Sequence, residues 1–364
     1  MRILISGGGT GGHIFPAVAV ADALKELVPD CEILFIGAEG KMEMEKIPKA
    51  GYEIIGLPIR GIQRKLSLKN AMVPFRLVRS LLKVRNVIAD FKPDVAFGTG
   101  GYASAPALKM AQWMGVPTAI LESNNYPGLA NRWLAKSVEK VFVAFEGLER
   151  FFPEEKIELT GNPVRKNIRS LLYYQEEAKR FFDWGQSKKV LLFFGGSLGA
   201  RTINLAVRDA VEYFKSRPDI FVIWQTGKND AAFLDCETAK LSNVRAMQFI
   251  DRMDLAYSIA DLVVCRAGAL TLSELAVVRK PSVLVPSPNV AEDHQTKNAA
   301  YLENRHAAIM VRDVEVGQVL IKKINELIDD DEKLRILSEN IGKEGRENAA
   351  IEIAETLMKI KKKE

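Results

Sequence analysis

The sequence predicts an α/β protein of two domains, each a parallel sheet flanked by helices. Three observations carry that expectation. The chain has 364 residues, long for one domain and natural for two. Apolar runs of strand length alternate with amphipathic helical stretches throughout. The pattern also restarts midway, so that each half opens with a hydrophobic strand, a glycine loop and a helix.

In the first half, strands are expected at Ile3–Ile5, Ile33–Ile36, Val95–Phe97, Thr118–Leu121 and Val141–Val143. Gly161-Asn162-Pro163-Val164-Arg165 is a turn cluster that proline stiffens, and it reads as a linker. The second half begins at Val190–Phe194, with further strands expected at Phe221–Trp224, Ala246–Phe249, Leu262–Cys265 and Ser282–Val285. The tail Ile351–Lys363 reads as a charged amphipathic helix ending in lysines, which suits a helix C-terminus.

The chain is 48% hydrophobic and 27% charged, enough apolar residues for ample cores. A net charge of +5 is mild, and no nucleic-acid partner is expected from it. Cys31, Cys236 and Cys265 are few and far apart, giving neither a metal spacing nor a disulfide framework. A reducing cytoplasm is the simplest reading. Residues 1–6 begin a buried strand at once, so no signal peptide is expected. No apolar run approaches the roughly 18 residues needed to span a bilayer, so any membrane contact is expected to be peripheral.

The first glycine loop is Gly7-Gly8-Gly9-Thr10-Gly11-Gly12-His13, between a strand and a helix. It contains G-x-G-x-x-G, whose missing Cβ atoms let backbone N–H groups approach an anion at a helix N-terminus. Pro16 suits the first turn of that helix. A nicotinamide site would also want an acid ending the second strand; Glu39, beyond Gly37 and Ala38, fits poorly. The second loop, Gly195-Gly196-Ser197-Leu198-Gly199, also matches the nucleophile elbow of α/β-hydrolases, with His294 or His306 as partner. That leaves the first loop unexplained, so small residues holding a phosphate are preferred. Gly98-Thr99-Gly100-Gly101-Tyr102 and Arg266-Ala267-Gly268-Ala269-Leu270-Thr271 are two more turns after strands. Each alone reads as an ordinary tight turn. Together the four predict a cleft, between the domains, lined by strand C-terminal ends.

From Arg60 to Arg85 the chain carries Arg60, Arg64, Lys65, Lys69, Arg76, Arg79, Lys83 and Arg85 and no acid. Leu66, Leu68, Met72, Val73, Phe75, Leu77, Val78, Leu81 and Leu82 lie among them. A basic apolar helix reads as a membrane-surface segment, each cation adding about 1 kcal/mol near anionic lipid. The competing reading is an amphipathic helix whose apolar side is core.

On these motifs the chain resembles the peptidoglycan N-acetylglucosaminyltransferases of the MurG family. The resemblance spans essentially the whole chain. It rests on Gly8 to Pro16, Gly98 to Tyr102, Gly161 to Arg165, Gly195 to Arg201, and Arg266 to Glu274, in that order. It implies the GT-B fold, α/β with two Rossmann-like parallel-sheet domains and an interdomain cleft. It further implies an N-terminal acceptor and membrane domain over 1–162 and a UDP-GlcNAc-binding domain over 163–343, with a C-terminal helix of about 344–364 packing back on the first. The implied reaction moves GlcNAc from UDP-GlcNAc, with inversion, to the 4-hydroxyl of MurNAc in undecaprenyl-diphosphate-linked MurNAc-pentapeptide (lipid I), giving lipid II and UDP. No cofactor or metal is implied. The implied setting is the cytoplasmic face of the plasma (inner) membrane, as a peripheral enzyme of peptidoglycan synthesis, cell shape and cell division, with other wall-synthesis and division proteins as partners.

For the donor, the resemblance implies that Glu274 accepts from the ribose hydroxyls and the Ile250 backbone reads the uracil edge. Ala269, Leu270 and Thr271 meet the pyrophosphate at a helix N-terminus, and Ser197 and Arg165 add nucleotide contacts. Gln295 and Asn298 bind sugar hydroxyls, with Asn124, Thr10, Gly11 and Gly12 contributing from the first domain. The family usually has Gln where Leu198, Ser123 and His294 stand, so the finer donor contacts differ there. The acceptor diphosphate is expected on Gly9, Gly11, Gly12, Gly100, Gly101 and Tyr102, whose N–H groups suit an anion better than a neutral sugar.

Such a reaction needs a base for the acceptor hydroxyl. His13, ending a glycine loop, is the leading candidate, with an unperturbed pKa of about 6.5. Glu122, beside Asn124, competes for that role. Asp329-Asp330-Asp331 follows a helix and reads as a solvated turn. The alternatives are a GT-B lipid glycosyltransferase making a different glycolipid, a UDP-GlcNAc 2-epimerase of the same fold, and a nucleotide-sugar-binding scaffold without catalysis.

Overall fold

The computed structural model describes residues 1–59, 73–168, 174–184 and 188–360. The chain forms two compact units, Met1–Arg165 with Arg346–Glu364, and Lys166–Gly345.

The first unit runs β1 (Arg2–Gly7), α1 (Gly11–Leu27), β2 (Glu32–Ala38), α2 (Glu43–Lys49), β3 (Glu53–Leu57), α3 (Val73–Phe91), β4 (Val95–Gly100), α4 (Ser104–Trp113), β5 (Thr118–Glu122), α5 (Leu129–Leu134), β6 (Lys140–Val143) and β7 (Ile157–Leu159). Its strands form one parallel sheet in the order β3-β2-β1-β4-β5-β6-β7. Because the central strands are covered on both faces, they read as unbroken apolar runs. One face packs Leu4, Ile36, Ala96 and Ile120 under α3 and α4. The other packs Ile3, Ile5, Phe35, Phe97 and Phe142 under α1.

The second unit runs α6 (Gln175–Phe181), β8 (Lys189–Phe194), α7 (Arg201–Asp209), α8 (Val211–Ser216), β9 (Ile220–Gln225), β10 (Val244–Met247), α9 (Met253–Ile259), β11 (Leu262–Cys265), α10 (Ala269–Val277), β12 (Ser282–Leu284), α11 (His294–Glu303), β13 (Ile309–Met310), α12 (Val316–Ile328) and α13 (Asp331–Lys343). Its parallel sheet has the order β10-β9-β8-β11-β12-β13. The last helix, α14 (Ala349–Lys359), belongs to the first unit and packs on α1 through Ala350, Ile353, Ala354 and Leu357.

Both sheets start in the middle, grow outward one way, then cross back to the other side of the first strand. In such open sheets the crossover falls where two neighbouring strands send their following loops apart, and ligands bind at the carboxyl ends there. That point is β1/β4 in the first unit and β8/β11 in the second. The four glycine-containing turns of the sequence follow these four strands.

Three strands have no counterpart in the expected set: β3, β7 and β13. The strand expected at Ala246–Phe249 lies two residues earlier, at Val244–Met247, because Phe249 is exposed where the chain leaves the sheet.

Candidate functional site

In the first unit, β1 and β4 pair in register up to Ser6 opposite Gly98, and then Gly7 pairs with Gly100. The irregularity bulges Thr99 out of the ladder, and bulges re-aim side chains and carbonyls. Here it aims Thr99 at His13. The Thr99 hydroxyl donates to the His13 carbonyl at 2.7 Å, and the Thr99 carbonyl lies 2.7 Å from His13 Nδ1. Gly7 must be glycine to admit that hydroxyl, since a Cβ there would fall 1.9 Å from Thr99 Oγ1.

A carbonyl only accepts, so the Nδ1 facing it carries the proton and the neutral imidazole has its lone pair on Nε2. That tautomer is the one a general base needs. The ring rests against Gly100, whose φ is +104°.

The two glycine turns lie back to back. Gly8 N–H donates to Gly100 O at 3.2 Å, and a Cβ on Gly101 would meet Gly8 O at 2.3 Å. Gly9 N–H is committed elsewhere, to Glu43 Oε2 at 2.8 Å. The His13 and Ile14 N–H groups close on Thr10 O, leaving Thr10, Gly11 and Gly12 as the outward amides of the α1 N-terminus. Tyr102 is exposed beside them.

Glu122, at the end of β5, is buried and accepts four hydrogen bonds. The donors are Asn124 N–H at 3.0 Å, Asn124 Nδ2 at 3.3 Å, Gly128 N–H at 3.2 Å and Asn131 Nδ2 at 2.9 Å. Burial pushes its carboxyl above the ordinary carboxylate range, and those donors pull it back. This is the environment of an anchor that shapes the Asn124–Gly128 turn. Asn162 donates to Ser123 O at 3.1 Å, fastening the 161–165 segment to the same turn, and Arg165 lies over the Phe15 ring at 5.7 Å.

In the second unit, the predicted donor residues collect at the carboxyl ends of β8, β10, β11 and β12. Ser197 is exposed in the turn after β8. That turn packs against the turn after β9: a Cβ on Gly199 (φ +92°) would fall 2.2 Å from Thr226 O. Buried Gln225 ties three strand ends together. It donates to Gly196 O and accepts from Ile250 N–H, both at 2.9 Å. Of the Ile250 backbone, expected to read the uracil edge, the N–H is thus engaged by a side chain, while the carbonyl is not drawn into that bond.

Ala269, Leu270 and Thr271 form the first turn of α10, and that turn carries no acid. No acid within that first turn therefore offsets the positive end of the helix dipole. Glu274, one turn on, is buried against the Tyr257 hydroxyl at 3.3 Å. Arg266 is clamped by Asp313 and by the carbonyls of Val285 and Pro286, fixing the turn from behind. Asn298 is fully buried, with Nδ2 3.3 Å from Ala267 O, and Gln295 Oε1 accepts from Ser287 N–H at 2.8 Å.

The predicted residues therefore form two groups, one in each unit, on the loops that follow the carboxyl ends of its strands and on the helices those loops lead into. Glu43, Thr99, Asn131, Gln225 and Asp313 were not anticipated. Of the segment 60–85, Arg60, Arg64, Lys65, Leu66, Leu68, Lys69 and Met72 lie outside the described residues. On α3, Ser80, Val84 and Ile88 face the core while Phe75, Val78 and Leu82 are exposed at helical spacing. Among the described residues no helix is long and apolar enough to cross a membrane.

Comparison with known proteins follows the same division. Residues 3–143 match the glycosyltransferase family 28 N-terminal domain, and residues 190–355 match the glycosyltransferase family 28 C-terminal domain. The UDP-N-acetylglucosamine–N-acetylmuramyl-(pentapeptide) pyrophosphoryl-undecaprenol N-acetylglucosamine transferase of Phocaeicola vulgatus is 50% identical over 363 residues, covering 99% of this chain and 96% of that protein. The protein of the same name from Bacteroides thetaiotaomicron is also 50% identical, over 99% of this chain and 98% of its own. The crystal structure of Acinetobacter baumannii MurG superposes with a TM-score of 0.76 at 26% identity, over 98% of this chain and 99% of that one. The UDP-GlcNAc 2-epimerase of Neisseria meningitidis shares the fold alone, with a TM-score of 0.69 at 19% identity over 99% of this chain and 100% of that one. With two parallel sheets of this order and half its residues shared with these transferases along its whole length, the chain belongs to the UDP-N-acetylglucosamine–N-acetylmuramyl-(pentapeptide) pyrophosphoryl-undecaprenol N-acetylglucosamine transferases, of glycosyltransferase family 28.

Proposed function

We propose that this chain transfers GlcNAc from UDP-GlcNAc to the MurNAc 4-hydroxyl of undecaprenyl-diphosphate-linked MurNAc-pentapeptide, giving lipid II and UDP. The observation that carries the reading is 50% identity over 99% of the chain to transferases of that name. The site geometry supports it chemically. In a single in-line displacement, the acceptor oxygen bonds to the sugar C1 as the bond from C1 to the UDP oxygen breaks. The hydroxyl proton passes to His13 Nε2, whose lone pair follows from the Nδ1 bond to Thr99 O. Negative charge grows on the departing diphosphate, which the α10 N-terminus is suited to meet.

The roles within the chain follow from this. The first unit takes the acceptor, with its diphosphate on the outward amides of Thr10, Gly11 and Gly12 and on the Gly100–Tyr102 turn. The second unit takes the donor through Ser197, Ile250, Ala269–Thr271, Glu274, Gln295 and Asn298, with Asn124 and Arg165 contributing from the first. Glu122 shapes the Asn124 turn, leaving the base role to His13. The exposed Phe75, Val78 and Leu82 stripe, with Arg79 inside it, rests on the anionic cytoplasmic surface of the membrane, as a peripheral contact.

The test is transfer of radiolabelled GlcNAc to a short-chain lipid-linked acceptor by wild type and His13→Ala. Wild type should form the disaccharide lipid. The variant should lose about 10²–10⁴-fold in kcat while retaining UDP affinity. Release of UDP and free sugar without acceptor would instead mark an epimerase-type reaction, and His13→Ala at wild-type rate would remove the base assignment.

A further inference from the structure

Five of the six residues from Gly7 to Gly12 are glycine, the most conformationally free backbone a chain can have. A loop of that kind binds poorly unless something holds it, because ordering it opposes association. In this protein the holding group is a side chain from another element. Glu43, the first residue of α2, is 1% exposed. Its carboxylate reaches over the ends of β1 and β2, where Oε2 accepts from Gly9 N–H at 2.8 Å and Oε1 from Ala38 N–H at 3.0 Å.

The surrounding sequence is cut to fit it. A Cβ on Gly8 would fall 2.2 Å from Glu43 Oε1, and one on Gly37 would fall 2.6 Å from Glu43 Cγ. Neither glycine has a positive φ, so their lack of a side chain is a matter of space for Glu43. A carboxylate also suits the two donors in a way an amide does not. Both N–H groups meet an acceptor, and charge assistance roughly doubles the strength of such bonds. Replacing one oxygen by NH2 sets a donor against a donor.

We propose that Glu43 is the positioning residue of the acceptor loop: its buried carboxylate turns Gly9 N–H inward and holds the loop so that the Thr10, Gly11 and Gly12 amides face the ligand. This rests on the assignment of that loop to the acceptor diphosphate. Glu43 touches no substrate and acts on the reaction only through the loop's shape. Its removal frees the loop to sample conformations that do not bind, so the loss falls on acceptor binding.

The experiment measures steady-state kinetics for both substrates in Glu43→Gln, Gly8→Ala, Glu43→Ala and the double variant Gly8→Ala/Glu43→Ala, with thermal unfolding alongside. Glu43→Gln keeps the volume and should stay folded, with the acceptor KM raised at least about tenfold and the donor KM changed less than about twofold. Gly8→Ala should be severely impaired with Glu43 present. Removing Glu43 opens the space the methyl needs, so the double variant should resemble Glu43→Ala rather than show the product of the two losses. Multiplying losses, an unchanged acceptor KM in Glu43→Gln, or a Glu43→Gln chain that does not fold would each overturn the proposal. Coupled losses expressed in the donor KM would uphold the brace and overturn the acceptor assignment.

Discussion

Gly100→Ala separates the two things the β4 bulge does, which are to close the glycine turns and to seat His13. The methyl would lie 2.7 Å from His13 Cε1 and 2.8 Å from Nδ1. Carbon atoms in contact sit about 3.5–4.0 Å apart, so the ring must retreat by about 1 Å. Retreat in that direction breaks the 2.7 Å bond between Nδ1 and Thr99 O that fixes the tautomer. A misplacement of about 1 Å at a reacting group costs about 10²-fold, or about 2.7 kcal/mol of activation energy. The φ of +104° adds backbone strain of about 1–2 kcal/mol, which appears in stability. The assay is UDP release at saturating donor and acceptor, with the melting midpoint measured in parallel. We expect kcat down about 10²-fold, donor KM within about twofold, and a modestly lower midpoint. The methyl acts through His13, so Gly100→Ala/His13→Ala should be no slower than His13→Ala alone. A folded Gly100→Ala with kcat within about threefold of wild type, or a double variant showing the product of both losses, would refute the reasoning.

Other perturbations test the remaining assignments. Gly199→Ala drives a methyl to 2.2 Å from Thr226 O at a φ of +92°; it should raise the donor KM at least about tenfold and spare the acceptor KM, as read from initial rates. Replacing Phe75, Val78 and Leu82 by serine removes three exposed apolar groups worth up to about 1.5–3 kcal/mol each on burial, so co-sedimentation with anionic vesicles should fall more than about tenfold. Unchanged sedimentation would argue against membrane contact through α3. Burial holds the Glu122 carboxyl above its unfolded value, so the native chain keeps a proton that the unfolded chain loses. Stability from this group is present below the unfolded pKa and is lost as pH rises through the folded one, and Glu122→Gln should flatten that slope in urea unfolding as pH rises above the ordinary carboxylate range.

How much of this was legible in the sequence depended on whether a contact is local. The central strands were legible because burial on both faces forces unbroken apolar runs such as Val190–Phe194. The two-residue β13 and the three-residue β7 lie at sheet edges, pair on one side only and are half-exposed, so no run marks them. In β3, Glu-Ile-Ile-Gly-Leu breaks its own pattern with a glycine that makes room for Glu39 and Met44. The glycine turns were legible as turns after strands, since their spacing is itself the signal. Their partners were not. Gly9 meets Glu43 from 34 residues away and His13 meets Thr99 from 86 residues away, and only the folded sheet brings them together. Gln225 similarly joins Gly196 to Ile250 from a strand whose sequence reads as plain core.

The return of α14 to the first unit has a consequence for how the protein is made. Ile14, Val20 and Leu24 on α1 are fully buried in a cluster that includes Ile353 and Leu357. While the ribosome is still reading the second unit, that cover does not exist. Roughly 180 residues separate the two stretches of the first unit, and at 5–20 residues per second their synthesis takes roughly 10–35 s. Through that interval the first unit shows an oily flank on α1, the helix that follows the Gly7–Gly12 loop. Truncating the gene before Ala349 should therefore yield a chain that aggregates as it emerges, even though every residue assigned to chemistry is still present.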